Sequence, residues 1–337
     1  MFKLIWVVAL IATLGAFAAS AHAQTPIVVP GTAAWQHGET KLILRPRIAG
    51  MVRGDISDSS ASELDVTVQY ASPDGQTQAT LYIFRPALDS VPVWFDRSET
   101  QILVRDTYGK AAPLADPMAF APPRATAASG LRRTYVPSKG PYKSTGLVMM
   151  PLGKWLVAVR ISSASIEPAA LDAAMAGIVV GIGWPQGVAE SPAAVPVVAC
   201  AQSLPYARRA KLRASSMQDA IVGGAAVSLA AKEEGNAAPI LCRDLPPVSE
   251  YGVYRDPAST NSYVMAVGDA GIIITIAPDL FVEGKAGFRM IAGFLDHYAI
   301  YSVFDKFPHP DDVMKAVRGA RPAANVSLDG KTIEISM

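Results

Sequence analysis

Three histidines follow residue 23, His37, His297 and His309, so proton transfer near neutral pH has few carriers to draw on. His297 stands beside Asp296, and His309 precedes Asp311 and Asp312. A serine brought to the first pair would complete a nucleophile, a base and an orienting group, and the two His–Asp groups together would offer ligands to a metal ion. The second group has a structural explanation: Phe307-Pro308-His309-Pro310 is a turn into a helix whose first-turn acids complement the helix dipole. The Gly-x-Ser-x-Gly elbow of many hydrolases is absent. Ser144-Thr145 next to Lys143 precedes an extended run, where neighbouring side chains point to opposite faces. Gly181-Ile182-Gly183 ends a helical pattern instead of opening one, so it presents no helix N-terminus to a phosphate. On these residues no catalytic, metal or cofactor-binding position is assigned. The enzyme reading that remains is a hydrolase using His297, Asp296 and one serine.

The two cysteines, Cys200 and Cys242, lack the histidines that would complete a tetrahedral metal site, and in an oxidising compartment they pair as a disulfide. Arg132, Arg133, Lys139 and Lys143, interleaved with Tyr135 and Tyr142, form one basic stretch; Arg208, Arg209, Lys211 and Arg213 form another. Either would suit a small anionic ligand, although a solvated face is the simpler reading of each. The whole chain balances 30 basic against 29 acidic residues, which excludes the general attraction that nucleic acid exerts on a basic protein.

The elements that must position these groups follow from periodicity. Residues 41–48 and 65–70 alternate as strands, and residues 80–84 return through Ser72-Pro73-Asp74-Gly75 to make a hairpin. Asp89 or Ser90 caps a helix carrying Val91, Trp94, Phe95, Ile102 and Leu103, with Gly109 as its stop. Residues 110–130 read as a long loop. Residues 146–150 and 155–162 form a second hairpin, and Leu171, Met175, Ile178 and Val179 give the next helix its apolar face. After a stretch rich in Pro, Gly and Ala, Ser216-Met217-Gln218-Asp219 opens a helix expected to end at Lys232-Glu233-Glu234-Gly235. Residues 262–266 and 271–276 form a third hairpin, 298–304 a strand, 310–318 a helix, and the final hairpin turns on Asp329-Gly330. The fold class is α+β: two domains, each a mainly antiparallel twisted sheet with helices packed on it, at residues 39–185 and 198–337, joined by a linker at 186–197 and preceded by a leader at 24–38.

Residues 1–23 read as a secretory signal. Lys3 supplies the positive charge, residues 4–18 the apolar core, and Ala21-His22-Ala23 the small residues a signal peptidase accepts, placing cleavage between Ala23 and Gln24. The core is shorter than the roughly 20 residues a membrane-spanning helix needs, and no second such run follows. A soluble periplasmic or secreted protein without an integral membrane span is expected. Removing Lys3 leaves basic and acidic residues equal in number.

Pro46-Arg47-Ile48-Ala49-Gly50 with Arg53-Gly54, Asp65-Val66-Thr67-Val68-Gln69-Tyr70, Thr80-Leu81-Tyr82-Ile83, Ser144-Thr145-Gly146, Gly153-Lys154-Trp155 with Arg160, and Gly183-Trp184-Pro185 form a pattern over roughly residues 39–185. In this pattern the first half resembles a family of uncharacterised exported proteins of Gram-negative bacteria. Its order of hairpin, helix, hairpin and helix also resembles the PsbP/Mog1-like α/β sandwich. The resemblance implies an exported α+β protein and carries over no catalytic residue. The resulting expectation is a non-enzymatic protein that binds an envelope protein or an anionic small ligand, with no cofactor and no nucleic acid partner. The hydrolase with a site between the domains stands as the alternative.

Overall fold

The computed structural model describes residues 24–60, 62–230, 240–269, 271–279 and 287–336. Its first sheet is built on β1 (Met51–Asp58), β2 (Asp65–Ala71) and β3 (Thr77–Phe84), followed by α1 (Val91–Leu103), β4 (Gly130–Val136), β5 (Ser144–Leu152), β6 (Trp155–Ser163) and α2 (Pro168–Gly181). Beyond residue 200 come α3 (Met217–Ala230), β7 (Tyr251–Arg255), β8 (Tyr263–Val267), β9 (Ile272–Pro278), β10 (Phe288–Gly293), β11 (His297–Phe304), α4 (Pro310–Gly319), β12 (Ala324–Ser327) and β13 (Ile333–Ile335). Antiparallel sheet dominates the described residues. The first sheet runs β1-β2-β3-β6-β5-β4, extended at its margins by two- and three-residue strands. The second is a simple meander, opening with Cys242–Arg243 and continuing from β7 to β13 in chain order.

Turn chemistry sets the β2–β3 register. Ser72 donates its backbone N–H to the Thr77 carbonyl, 2.9 Å separates the Gly75 N–H from the Ser72 carbonyl, and Gly75 takes a φ of 70° that favours glycine. The Ser90 hydroxyl caps α1 by accepting the Val93 N–H at 3.5 Å, and α1 ends at Leu103, before a short 3-10 turn that reaches Gly109. Asp219 and Ser216 cap α3 reciprocally, as the capping signal requires. The expected end of this helix, at residues 232–235, lies outside the described residues.

Several expectations need correction. The strand read at residues 41–48 is broken at Pro46, which has no N–H for a ladder: Ile43–Leu44 pairs with Trp35–Gln36, whereas Arg47–Ile48 pairs with β1. β1 escaped notice because its pairing with β2 shifts register between Arg53 and Ile56, which destroys the two-residue period. β7 is buried throughout and therefore has no alternation to read. Within the 110–130 loop, Ala112–Pro113 and Met118–Phe120 both pair with β4.

Cross-strand register assigns the faces. Val66, Ile83, Val157 and Met150 share one face of the first sheet and pack with Leu171, Met175 and Ile178 of α2. The other face presents Leu131, Leu147, Met149 and Leu156 to Trp94, Phe95 and Ile102 of α1. The same α1 cluster includes Tyr254, Ala266 and Ile273 of the second sheet, so one helix fills the core between two sheets. Ile300 and Val326, further along that face of the second sheet, receive Ala220 and Val227 of α3; the reverse face receives Val313 and Met314 of α4. The disulfide Cys200–Cys242 is formed, with Cα atoms 5.0 Å apart, and fastens the approach to the second sheet. Among the described residues, no helix is long and apolar enough to cross a membrane.

The close approach of α3 to β11 depends on Gly223, because a Cβ there would collide with the Ile300 side chain. Gly223→Ala is expected to cost about 1–3 kcal/mol through overpacking, despite alanine's better helix propensity. Urea unfolding checks this: an unchanged midpoint would show that the helix shifts without penalty.

Candidate functional site

α1 lies over β4, β5 and β6 and leaves part of the first sheet's floor open. Register puts Thr67 opposite Tyr82 and Tyr82 opposite Ala158, all on the α1 face; Asp65 and Arg160 share that face. These side chains, with Gln24, Ser59, Phe84, Ser98 of α1 and Asp269 of the β8–β9 turn, line a cleft of about 160 Å³ between the two sheets. Arg160 forms an ion pair with Asp269 across the gap, and its guanidinium carbon lies 5.4 Å from the centre of the Tyr82 ring.

Arg97 holds the turn that carries Asp269. This buried guanidinium donates from Nε to the Gly268 carbonyl, from Nη1 to Val248 and from Nη2 to Ser249, each at 2.9 Å. Gln101 adds a bond of 2.7 Å to the Ser249 carbonyl. The neighbouring Asp96 accepts the Tyr254 hydroxyl at 2.7 Å and pairs with Arg243. Burial raises the Asp96 carboxyl, while Arg243 and Tyr254 act against that shift. Burial likewise lowers the Arg97 guanidinium from its usual value.

Asp65 is the perturbed acid of the cleft. Burial first, then the Asp269 and Asp58 carboxylates, push it from the ordinary 3.8 to about 6, opposed by a hydrogen bond from Ser59. With Gln24 in peptide linkage to residue 23, the folded chain therefore takes up a proton that the unfolded chain releases between pH about 4 and about 6. Its stabilising contribution is present at low pH and lost as pH rises through that window. Asp65→Asn should remove the loss and stabilise this chain at pH 7.5 by on the order of 1–3 kcal/mol, measured by urea unfolding. No gain at pH 7.5, with parallel pH profiles, would count against the assignment.

The residues singled out from the sequence lie elsewhere. His297 opens β11 with Nδ1 2.6 Å from Asp296 Oδ1, and its ring stacks on Phe294 at 4.8 Å. Its hydrogen bonding among the described residues involves no serine. His309 Nδ1 accepts the Asp311 N–H at 3.2 Å and caps α4. Among the described residues, no group of three or more His, Cys, Asp or Glu side chains is placed to hold a metal ion. His37 is buried, bonded to Thr40 and to the Glu63 carbonyl, with Trp155 packed edge-on at 4.7 Å. Ser144 and Thr145 donate to the carbonyls of Ile166 and Ile161 on separate faces of β5. In the first basic stretch, Arg132 pairs with Asp172, Arg133 with Glu99 and Lys143 with Glu167, so three of its cations are already balanced.

Asp65, Tyr82, Arg160, Asp269 and Arg97 went unrecognised as a group. Part of the signal was present, because Asp65 and Thr67 stand on the polar phase of a strand whose other phase is Val66 and Val68. No family model, curated protein or solved structure matches the chain.

Proposed function

We propose that the chain is exported, is cleaved between Ala23 and Gln24, and acts outside the cytoplasm as a soluble, non-enzymatic protein of two α+β domains that associates with an envelope protein. The observation carrying the association is a set of exposed apolar side chains on α3 and β13 of the second sheet, with Arg321 beside them. Met217, Ile221 and Leu229 recur every four or eight residues on the outer side of α3 and are 45%, 60% and 63% exposed. Ile333 and Ile335 of β13 continue this surface: a Cβ on Gly224 of α3 would lie 2.9 Å from Ile333, and Met217 and Ile335 line one open cavity. Among the described residues β13 is also the last strand of its sheet, and such an edge offers backbone N–H and carbonyl groups that a polypeptide strand can satisfy and a lipid cannot. The Cys200–Cys242 disulfide supports the oxidising compartment that export implies.

A photo-crosslinking residue at Ile221, introduced in cells, tests the association. Adducts with a protein are expected there, above the background of the same probe at Val180, which is 74% exposed on α2. Equal labelling at both positions would overturn the association. Non-reducing mass measurement of protein recovered from the envelope tests export: the chain should begin at Gln24 and be two hydrogens lighter than the dithiol form.

A further inference from the structure

Cleavage after Ala23 would do more than release the chain, because it creates a charge beside the cleft. The strand Thr25–Pro26 pairs antiparallel with β1, Thr25 opposite Asp58 and Pro26 opposite Ser57. Continuing that register sets Gln24 opposite Ser59, the residue whose side chain bonds Asp65, and the Ser57 hydroxyl donates to Gln24 Oε1 at 3.3 Å. Gln24 and Asp65 line the same cleft. The ionisable groups facing Asp65 are Asp58 from β1, Arg160 from β6, Tyr82 from β3 and Asp269 from the β8–β9 turn; α1 contributes the uncharged Ser98. Among the described residues, three carboxylates thus share one guanidinium, and that guanidinium is committed to Asp269 and the Tyr82 face. Asp58 is engaged by the Ser60 N–H, the Ser60 hydroxyl and the Glu63 N–H. Among the described residues, Asp65 has a hydroxyl partner and forms no ion pair.

We infer that the α-ammonium group of Gln24, released by cleavage after Ala23, is the counter-ion of Asp65 and that the cleft is an ammonium site occupied by the protein's own mature N-terminus. In the precursor the same nitrogen is a neutral amide, so the charge imbalance persists until processing. The cleaved chain then gains an ion pair that joins the Thr25–Pro26 strand to the junction of the two sheets. Opposite charge within about 4–6 Å favours the ionised carboxylate and the protonated amine together. Processing therefore stabilises the mature fold relative to the precursor. This inference rests on the export reading.

The test compares the chain beginning at Gln24 with one that keeps His22-Ala23, and with the mature chain acetylated at its α-amine. A ¹³C titration of the Asp65 carboxyl should give a midpoint lower by about one pH unit or more in the mature chain than in the other two. Asp65→Asn should raise the urea midpoint of the extended chain and lower that of the mature chain. Equal Asp65 midpoints in all three proteins would overturn the inference while leaving export intact. Loss of one ammonia from freshly isolated mature protein would also overturn it, because cyclisation of Gln24 consumes the amine. A mass beginning at Met1 would instead refute export, and this inference with it. Methylammonium supplied to each form separates the two sources of the same chemistry. It should lower the Asp65 midpoint of the extended chain and leave the mature chain unmoved; a shift in the mature chain would show a site for free amines, not for the N-terminus.

Discussion

Arg97→Ala is expected to destabilise the protein by about 3–5 kcal/mol, the range for breaking a buried charged network by removing one partner. The guanidinium is fully buried and makes three bonds of 2.9 Å to carbonyls on the second sheet's loops. Alanine would leave those carbonyls without their donor and open a cavity beside Tyr254, whose hydroxyl depends on the adjacent Asp96. Lysine keeps the charge but reaches one carbonyl at most in this fork, so Arg97→Lys should recover only part of the loss. Urea unfolding gives the magnitude. Hydrogen exchange gives the location, with protection falling at the backbone around residues 248–249 and 268 before the first sheet responds. A loss below about 1 kcal/mol would mean that α1 holds the sheets together through its apolar contacts alone.

Removing the Cys200–Cys242 bridge should cost about 4 kcal/mol in the chain-entropy account, since the cysteines are separated by 42 positions. The local backbone can be kept: the Cys200 N–H donates to the Arg243 carbonyl at 2.9 Å and the Arg243 N–H to the Val198 carbonyl at 2.8 Å. Those two bonds hold the bridge geometry after Cys200→Ser and Cys242→Ser, so the change falls mainly on the unfolded chain. The double variant should therefore unfold at lower urea while its folded circular dichroism is unchanged. Dithiothreitol should reproduce the shift in the parent protein and have no effect on the variant. An unchanged midpoint would show that the denatured chain already confines this loop.

The sequence by itself determined the local elements wherever one face of a strand meets apolar core and a turn residue fixes the ends. β2 and β3 follow from Val66, Val68, Tyr70 and the Pro73-Asp74-Gly75 turn, β5 and β6 from two apolar runs around Gly153, and α4 from Pro310 with its first-turn acids. The disulfide was likewise legible, because the chain has two cysteines and they leave one intramolecular pairing. Periodicity failed at β1 and β10, where register shifts interrupt the alternation, and at β7, which is buried throughout.

Only the tertiary structure decided that α1 belongs to the cores of both sheets. Its apolar residues specify a buried helix, but nothing in their spacing names the second surface they meet. Arg97 on that helix looked like any charged helical residue until the Val248, Ser249 and Gly268 carbonyls surrounded it. The candidate site was hidden for the same reason. Asp65 occupies an ordinary polar position in an alternating strand, and Asp269 an ordinary hairpin turn. The perturbation of Asp65 arises from burial and from carboxylates that chain folding brings near it, which are properties of distance and desolvation that a one-dimensional pattern does not encode.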